Sequence, residues 1–296
     1  MANLTENSID PQEKHPTPPF PDQKQEVPGY EKDLDPQADH GERTYQGSDK
    51  LKDKVAIITG GDSGIGRAVA IAFAREGADV AISYLSEDED AEETAKWVKE
   101  AGRKAILIKG DISDEAHCQK IVKETGEKLG RIDILVNNAA FQMTHEKLED
   151  IPSEEWEYTF KTNIHAMFYL CKAAKPHMEP GSTIVNTSSV NAYNPKPILL
   201  AYAATKGAIQ NFTSSLAQLL ADDGIRVNCV APGPVWTPLI PSTMPEDKVK
   251  EFGKSTPLKR AAQPAELAAV YVLLASEDSS YMTGSTVQVT GGTPTI

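Results

Sequence analysis

Val55-Ala-Ile-Ile-Thr59, followed at once by Gly60-Gly61-Asp62-Ser63-Gly64-Ile65-Gly66, is the stretch on which the fold turns. A five-residue apolar run bounded by glycines reads as a buried strand. Helical spacing begins at Gly64 and continues to residue 76. Glycine is required between the two because the backbone turns tightly there and a ligand pyrophosphate must come close to it. The helix start then offers free N–H groups to phosphate oxygens. A glycine triplet elsewhere would be an ordinary turn; between a first strand and a first helix it reads as dinucleotide binding. Gly60, Asp62, Ser63, Gly64, Ile65 and Gly66 are therefore candidate cofactor-binding residues.

The same alternation continues outward. Residues 79–84, 104–109, 132–137, 182–187, 225–230 and 285–289 read as further buried strands. Helical stretches at 64–76, 90–101, 115–129, 154–178, 202–222 and 264–276 separate them. Strands alternating with helices imply parallel pairing through right-handed crossovers. The expectation is an α/β fold, a Rossmann-type doubly wound sheet of seven parallel strands in a single domain spanning 51–296. No internal repeat is visible.

Residues 1–50 form a different zone, a Pro-rich acidic N-terminal extension. They hold seven of the twenty prolines and a charge of −6 from eleven acids and five bases. Pro16-Thr17-Pro18-Pro19-Phe20-Pro21 fits neither a helix nor a central strand. Two dispositions stay open: disorder, favoured for about the first twenty residues, or extended chain on the folded surface, with Tyr30, Leu34 and Tyr45 as anchors.

The 296 residues carry a net charge of −13, which argues against nucleic acid or an anionic membrane surface as a partner. No apolar run reaches membrane-spanning length, and the first thirty residues lack the basic-then-apolar order of a secretory signal. Three scattered cysteines, Cys118, Cys171 and Cys229, suit a reducing cytoplasm. The six histidines show no metal-type spacing, so no metal site is expected.

The end of the second strand carries Tyr84, where an NAD-selective site would have an acid on the ribose hydroxyls. No Arg or Lys stands beside it to receive a 2′-phosphate, and Glu87-Asp88-Glu89-Asp90 follows. NADP and NAD both stay open. Farther on, Tyr202 and Lys206 stand one helical turn apart, the only Tyr-x-x-x-Lys spacing in the chain. An ammonium about 4 Å from a phenol, at an effective dielectric near 20, would be worth roughly 4 kcal/mol, about three pKa units. A lowered tyrosine pKa is the expectation.

Taken in order, Thr59-Gly60-x-x-x-Gly64-Ile65-Gly66, Asp111, Asn137-Asn138-Ala139-Ala140, Asn163, Ser189, Tyr202-x-x-x-Lys206 and Pro232-Gly233 with Thr237 resemble the short-chain dehydrogenase/reductase family over roughly residues 51–292. The long acidic N-terminus looks like that of bacterial general-stress or glucose-dehydrogenase-like oxidoreductases. The resemblance implies NADP or NAD as cofactor and a small carbonyl or alcohol substrate. It makes Tyr202 the acid/base, and Lys206 the group that lowers the Tyr202 pKa and holds the nicotinamide ribose. Ser189 would bind the substrate oxygen, with Ser188 its competitor; spacing favours Ser189. Asn163 would hold open a helix irregularity for a water, against a plain capping role. Asp111 and Ile112 would order the adenine pocket, against a simple strand end.

By the same resemblance, Asn138, Ala139 and Ala140 let the fourth strand approach the cofactor, although the family usually has glycine where Ala140 stands. Pro232, Gly233, Val235 and Thr237 would hold the nicotinamide carboxamide end. Trp236 is either substrate wall or packing. Residues 238–259 are expected to cover the substrate site, with Leu239, Ile240, Met244 and Phe252 as an apolar lining or a core stripe. Phe141, Gln142, Asn191, Tyr193 and Pro195 would join that pocket, Gln142 among the substrate-binding residues with Ser189 and Tyr202. Apolar faces on 154–178 and 202–222 match helices that family members pair, implying a dimer or homotetramer. The function expected is NAD(P)-dependent interconversion of a carbonyl and an alcohol; the alternative is a cofactor-binding stress protein with little turnover.

Overall fold

The computed structural model describes residues 9–295. Seven parallel strands form one sheet in the order β3-β2-β1-β4-β5-β6-β7. They are β1 (Val55–Thr59), β2 (Asp79–Tyr84), β3 (Ala105–Lys109), β4 (Ile134–Asn137), β5 (Thr183–Thr187), β6 (Arg226–Pro232) and β7 (Thr286–Val289). β1 and β2 are buried along their whole length, as parallel strands covered on both faces must be. Within β1 the side chains alternate between two cores. Ala56 and Ile58 pack with α1 (Gly64–Arg75), α2 (Asp88–Glu100) and α9 (Ala265–Ala275), while Ile57 packs with α3 (Glu115–Leu129), α5 (Ala166–Ala174) and α6 (Leu200–Leu219).

The strand order reverses between β1 and β4, which are direct neighbours although β2 follows β1 in the chain. In open sheets of this type the crevice beyond the strand ends at that switch point is where ligands bind. The expected helix over 154–178 is broken in two places. α4 (Ser153–Phe160) passes into a π-helical turn over Lys161–His165 before α5, and a 3₁₀ turn over Lys175–His177 follows, where Pro176 cannot donate to a continuing helix. Residues 238–259 fold into two short helices, α7 (Leu239–Thr243) and α8 (Glu246–Lys250).

The extension runs along the surface for residues 9–50, with a single 3₁₀ turn at Glu31–Asp33. It is tied throughout to distant parts of the chain. Phe20 is buried and stacks on Trp236 at 4.1 Å between ring centroids. Gln25 donates its backbone N–H to Pro241, Trp236 Nε1 donates to the Pro36 carbonyl, and Ala265 donates to the Asp39 carbonyl. Leu34 is buried, and the Tyr45 hydroxyl donates to Glu76 at 2.6 Å; Tyr30 is only half-buried. The extended disposition thus describes residues 9–50, and the disordered reading of residues 1–8 falls outside the described residues. Trp236, wholly buried against Phe20, is packing and not substrate wall.

Candidate active site

A cleft of about 670 Å³ opens at the switch point. One end is formed by the turn after β1. Gly60 and Gly64 adopt φ of +60° and +50°, which favours glycine strongly. A Cβ on Gly66 would lie 1.8 Å from the Gly60 carbonyl oxygen, so only glycine lets helix α1 start this close to the strand. Ser63 at the N-cap makes no side-chain cap. Arg67 donates to the Ser63 carbonyl, which leaves the N–H groups of Ile65 and Gly66 without an acceptor among the described residues. Asn138 closes the turn from β4, donating through Nδ2 to the carbonyls of Thr59 and Gly60 at 3.2 Å each. Free helix-start donors beside a backbone that tolerates no Cβ fit a dinucleotide pyrophosphate.

Asp62, Ser63, Tyr84, Leu85 and Glu87 line the adjoining wall. Burial, reinforced by the Glu87 carboxylate, raises the Asp62 carboxyl to about 7. The Tyr84 hydroxyl donates to Asp88 at 2.9 Å, and the one nearby lysine, Lys109, is itself paired with Asp88. Asp111 accepts from the Ser113 N–H at 2.8 Å and from the Tyr158 hydroxyl at 3.3 Å, closing the loop that presents Ile112 to the cleft.

At the other end, β5 runs into Ser188 and Ser189, facing α6. The Ser188 hydroxyl donates to the Lys206 carbonyl at 2.8 Å and is committed to holding the helix. Ser189 Oγ instead accepts from Asn191 N–H at 3.1 Å and from Asn191 Nδ2 at 3.3 Å, and lines the cleft together with Tyr202. Lys206 is buried, with Nζ donating to the Thr187 carbonyl at 2.8 Å and standing 5.2 Å from the centre of the Tyr202 ring.

The electrostatics differ from the sequence expectation. Burial pushes the Tyr202 phenol up to about 12, against an opposing pull from its hydrogen bond with Ser189. Burial pushes Lys206 down to about 8. Removing both groups from water disfavours each charged form, and this outweighs the ammonium's attraction for a phenolate. The sequence argument counted the attraction and left out desolvation.

Of the expected cofactor and catalytic residues, all line the cleft except Gly66 and Asn163. Gly66 lies behind the turn, against Gly60. Asn163 sits in the π-helical turn as an internal brace: it donates to the Phe141 carbonyl at 2.9 Å and to Thr205 Oγ1 at 3.0 Å, and accepts from the Phe141 N–H at 2.8 Å. Ala139, Ala140, Pro232, Gly233, Val235, Thr237 and Gln142 all line the cleft, Gln142 held by Thr243 at 2.8 Å. Phe141 and Asn191 do so as well, but Tyr193 and Pro195 do not. Leu239, Ile240, Met244 and Phe252 all line the cleft, and the last three also pack with Phe20 and Trp236. Val27, Pro28 and Gly29 of the extension also form its wall. Nothing in their spacing announces that, because a chain without regular structure carries no periodicity to show its buried face.

The chain matches the family described as Enoyl-(Acyl carrier protein) reductase over residues 60–294. It is 55% identical to general stress protein 39 of Bacillus subtilis over 90% of this chain and 93% of that protein. Identity to the glucose and ribitol dehydrogenase of Daucus carota is 49%, over 92% and 96% of the two chains. The crystal structure of a short-chain dehydrogenase from Burkholderia cenocepacia in complex with NADP superposes with a TM-score of 0.77 at 31% identity, covering 82% of this chain and 98% of the other.

The chain is a short-chain dehydrogenase/reductase.

This short-chain dehydrogenase/reductase is accordingly an NAD(P)-dependent oxidoreductase. Among the described residues no group of His, Cys, Asp or Glu is arranged to hold a metal ion, and no helix is long and apolar enough to cross a membrane.

Proposed function

We propose that this oxidoreductase interconverts a small carbonyl and the corresponding alcohol, with Tyr202 as acid/base. The observation that carries the reading is that Ser189, Tyr202 and Lys206 line one cleft, with Lys206 Nζ 5.2 Å from the centre of the Tyr202 ring. The dinucleotide would be held by the Ile65 N–H, Asn138, Ala139, Asp111 and Ile112 at one end and by Thr237, Gly233 and Val235 at the other. It supplies or accepts the hydride.

The chain's own residues handle the proton. Tyr202 stays protonated at neutral pH, since burial holds its phenol near 12; it is set to donate to a carbonyl oxygen in the reducing direction. Ser189 donates to the same oxygen and stabilises the negative charge that develops there. Lys206, cationic below about 8, supports the phenolate left on Tyr202 after transfer. Asn163 fixes the π-helical turn against Phe141 and Thr205 and acts as a positioning residue.

Asp62 and Glu87 at the adenosine end, with no free cation beside them, favour NAD over NADP through repulsion of a 2′-phosphate. Trp156, Phe168 and Leu219 stay exposed on α4, α5 and α6, and support assembly as a homotetramer. Light scattering on the purified protein checks that, and a monomer at micromolar concentration would sink it. The three buried, unpaired cysteines support a reducing, cytoplasmic setting, checked by cell fractionation.

The functional test is oxidation of NADH and NADPH across a panel of aldehydes, diketones and sugar-derived ketones. Tyr202→Phe is expected to lower kcat by about 10³-fold while leaving dinucleotide binding near wild type. Equal turnover in both proteins would remove Tyr202 from the acid/base role, and turnover in neither would count against the reading.

A further inference from the structure

Glu31 is a carboxylate from the extension, 2% exposed, buried at the start of helix α1. Its Oε1 accepts from the Gly64 N–H at 2.5 Å, from 33 residues upstream, on a helix whose own N-cap Ser63 supplies no cap. Its backbone N–H donates to Asp90 Oδ2 at 2.9 Å, and Asp90 Oδ1 pairs with Arg67 at 3.1 Å. Arg67 Nε in turn donates to the Asp62 carbonyl at 2.8 Å. The turn that would receive the pyrophosphate is thus gripped at Asp62 and at Gly64.

We propose that Glu31, brought in by the N-terminal extension together with its counter-ion His40, positions the phosphate-binding turn for the dinucleotide, an inference that rests on the oxidoreductase reading. A lone carboxylate near a phosphate site repels the ligand. This one arrives compensated. His40 Nε2 lies 3.0 Å from Glu31 Oε1, buried with it, and the partner carboxylates hold its imidazole up at about 9 against the cost of burial. Glu31, Asp90, Arg67 and His40 carry two negative and two positive charges; Glu42, partly exposed, stands 3.5 Å from His40 Nδ1. The cap therefore satisfies one helix-start donor and leaves the N–H of Ile65, at the cleft wall, free for phosphate. Gly64 also packs against Thr237, since a Cβ there would lie 2.9 Å from Thr237 Cγ2. Fixing Gly64 therefore fixes the spacing between the two ends of the cleft.

The test is NADH fluorescence titration of the full-length protein, with thermal midpoints in parallel, on wild type, Glu31→Ala, Glu31→Gln, His40→Gln and Glu31→Gln/His40→Gln. Loss of the cap in Glu31→Ala, or of the counter-ion in His40→Gln, is expected to raise Kd about tenfold. Glu31→Gln keeps an acceptor for the Gly64 N–H and should cost about threefold, and the double variant should return to that level, because neither charge of the buried Glu31–His40 pair is then left without the other, while Glu42 keeps its access to water. Lowered midpoints with every Kd at the wild-type value would make the pair merely structural and overturn the proposal. Tighter binding by Glu31→Ala would overturn it too, by making the carboxylate a competitor of phosphate. Should His40→Gln fail to fold, equal Kd for Glu31→Ala and Glu31→Gln overturns it just as well. A wild-type protein that binds neither NADH nor NADPH overturns the oxidoreductase reading itself, a result separable from all the others.

Discussion

The two ends of the cleft bury ionisable groups in opposite ways. At the phosphate end the charges are cross-paired: Glu31 with His40, Asp90 with Arg67. At the other end Lys206 donates to a neutral carbonyl and stands over a phenol, with no carboxylate in ion-pair reach among the described residues. Pairing keeps groups charged and fixes a backbone; burial without a counter-ion favours the neutral forms, bringing Lys206 down to about 8 and holding Tyr202 protonated. One fold thus uses burial once for geometry and once for chemistry.

The strongest way to break this comparison is at the turn. Gly66→Ala puts a methyl 1.8 Å from the Gly60 carbonyl and 2.8 Å from Asn138 Nδ2, so the turn must open. Dinucleotide Kd should rise about 100-fold with the far-ultraviolet circular dichroism spectrum unchanged. Near wild-type affinity would show that the turn is not rigid in the way the pairing implies.

A smaller effect probes the unpaired end. Burial lowers Lys206 to about 8, so its ammonium is present below that pH and lost above it. The reduction rate at saturating dinucleotide should fall about tenfold per pH unit above 8, and Lys206→Arg, which stays charged, should flatten the descent. The stability sign is the reverse: a buried ammonium costs stability below about 8, and the cost is relieved as pH rises from there toward 10.5. A rate that stays flat to pH 10 would put Lys206 outside the proton chemistry.

The mildest effect lies at the adenosine wall. With its carboxyl held near 7, Asp62 is anionic above neutrality and neutral below. Discrimination against NADPH should therefore weaken by about threefold between pH 8 and pH 6, and Asp62→Asn should hold the low-pH ratio throughout. A ratio insensitive to both changes would remove Asp62 from cofactor selection.

Much of this was legible beforehand. β1 and β2 begin and end where the apolar runs do, since a strand covered on both faces must be apolar throughout and its borders are marked by glycine or charge. Ser189, Tyr202 and Lys206 meet because a strand end and a helix start are joined by a short connection of fixed length. The irregularity at 161–165 was expected only from the family resemblance; spacing alone ran one helix over 154–178, because a π-helical turn is decided by what Asn163 can reach across the gap, namely Phe141 and Thr205. The direction of the Tyr202 shift was misjudged, because spacing shows who is near but not how much water has left.

By itself the sequence determined the strand–helix alternation, the glycine turn after the first strand and the spacing of Tyr202 and Lys206, all matters of local period, glycine placement and spacing. Only the tertiary structure decided that the extension lines the cleft, that Trp236 packs under Phe20, and that Glu31 caps α1. Those contacts join residues 33 to 216 positions apart in chains without period, and their energetics depend on burial, which exists only once the chain has folded.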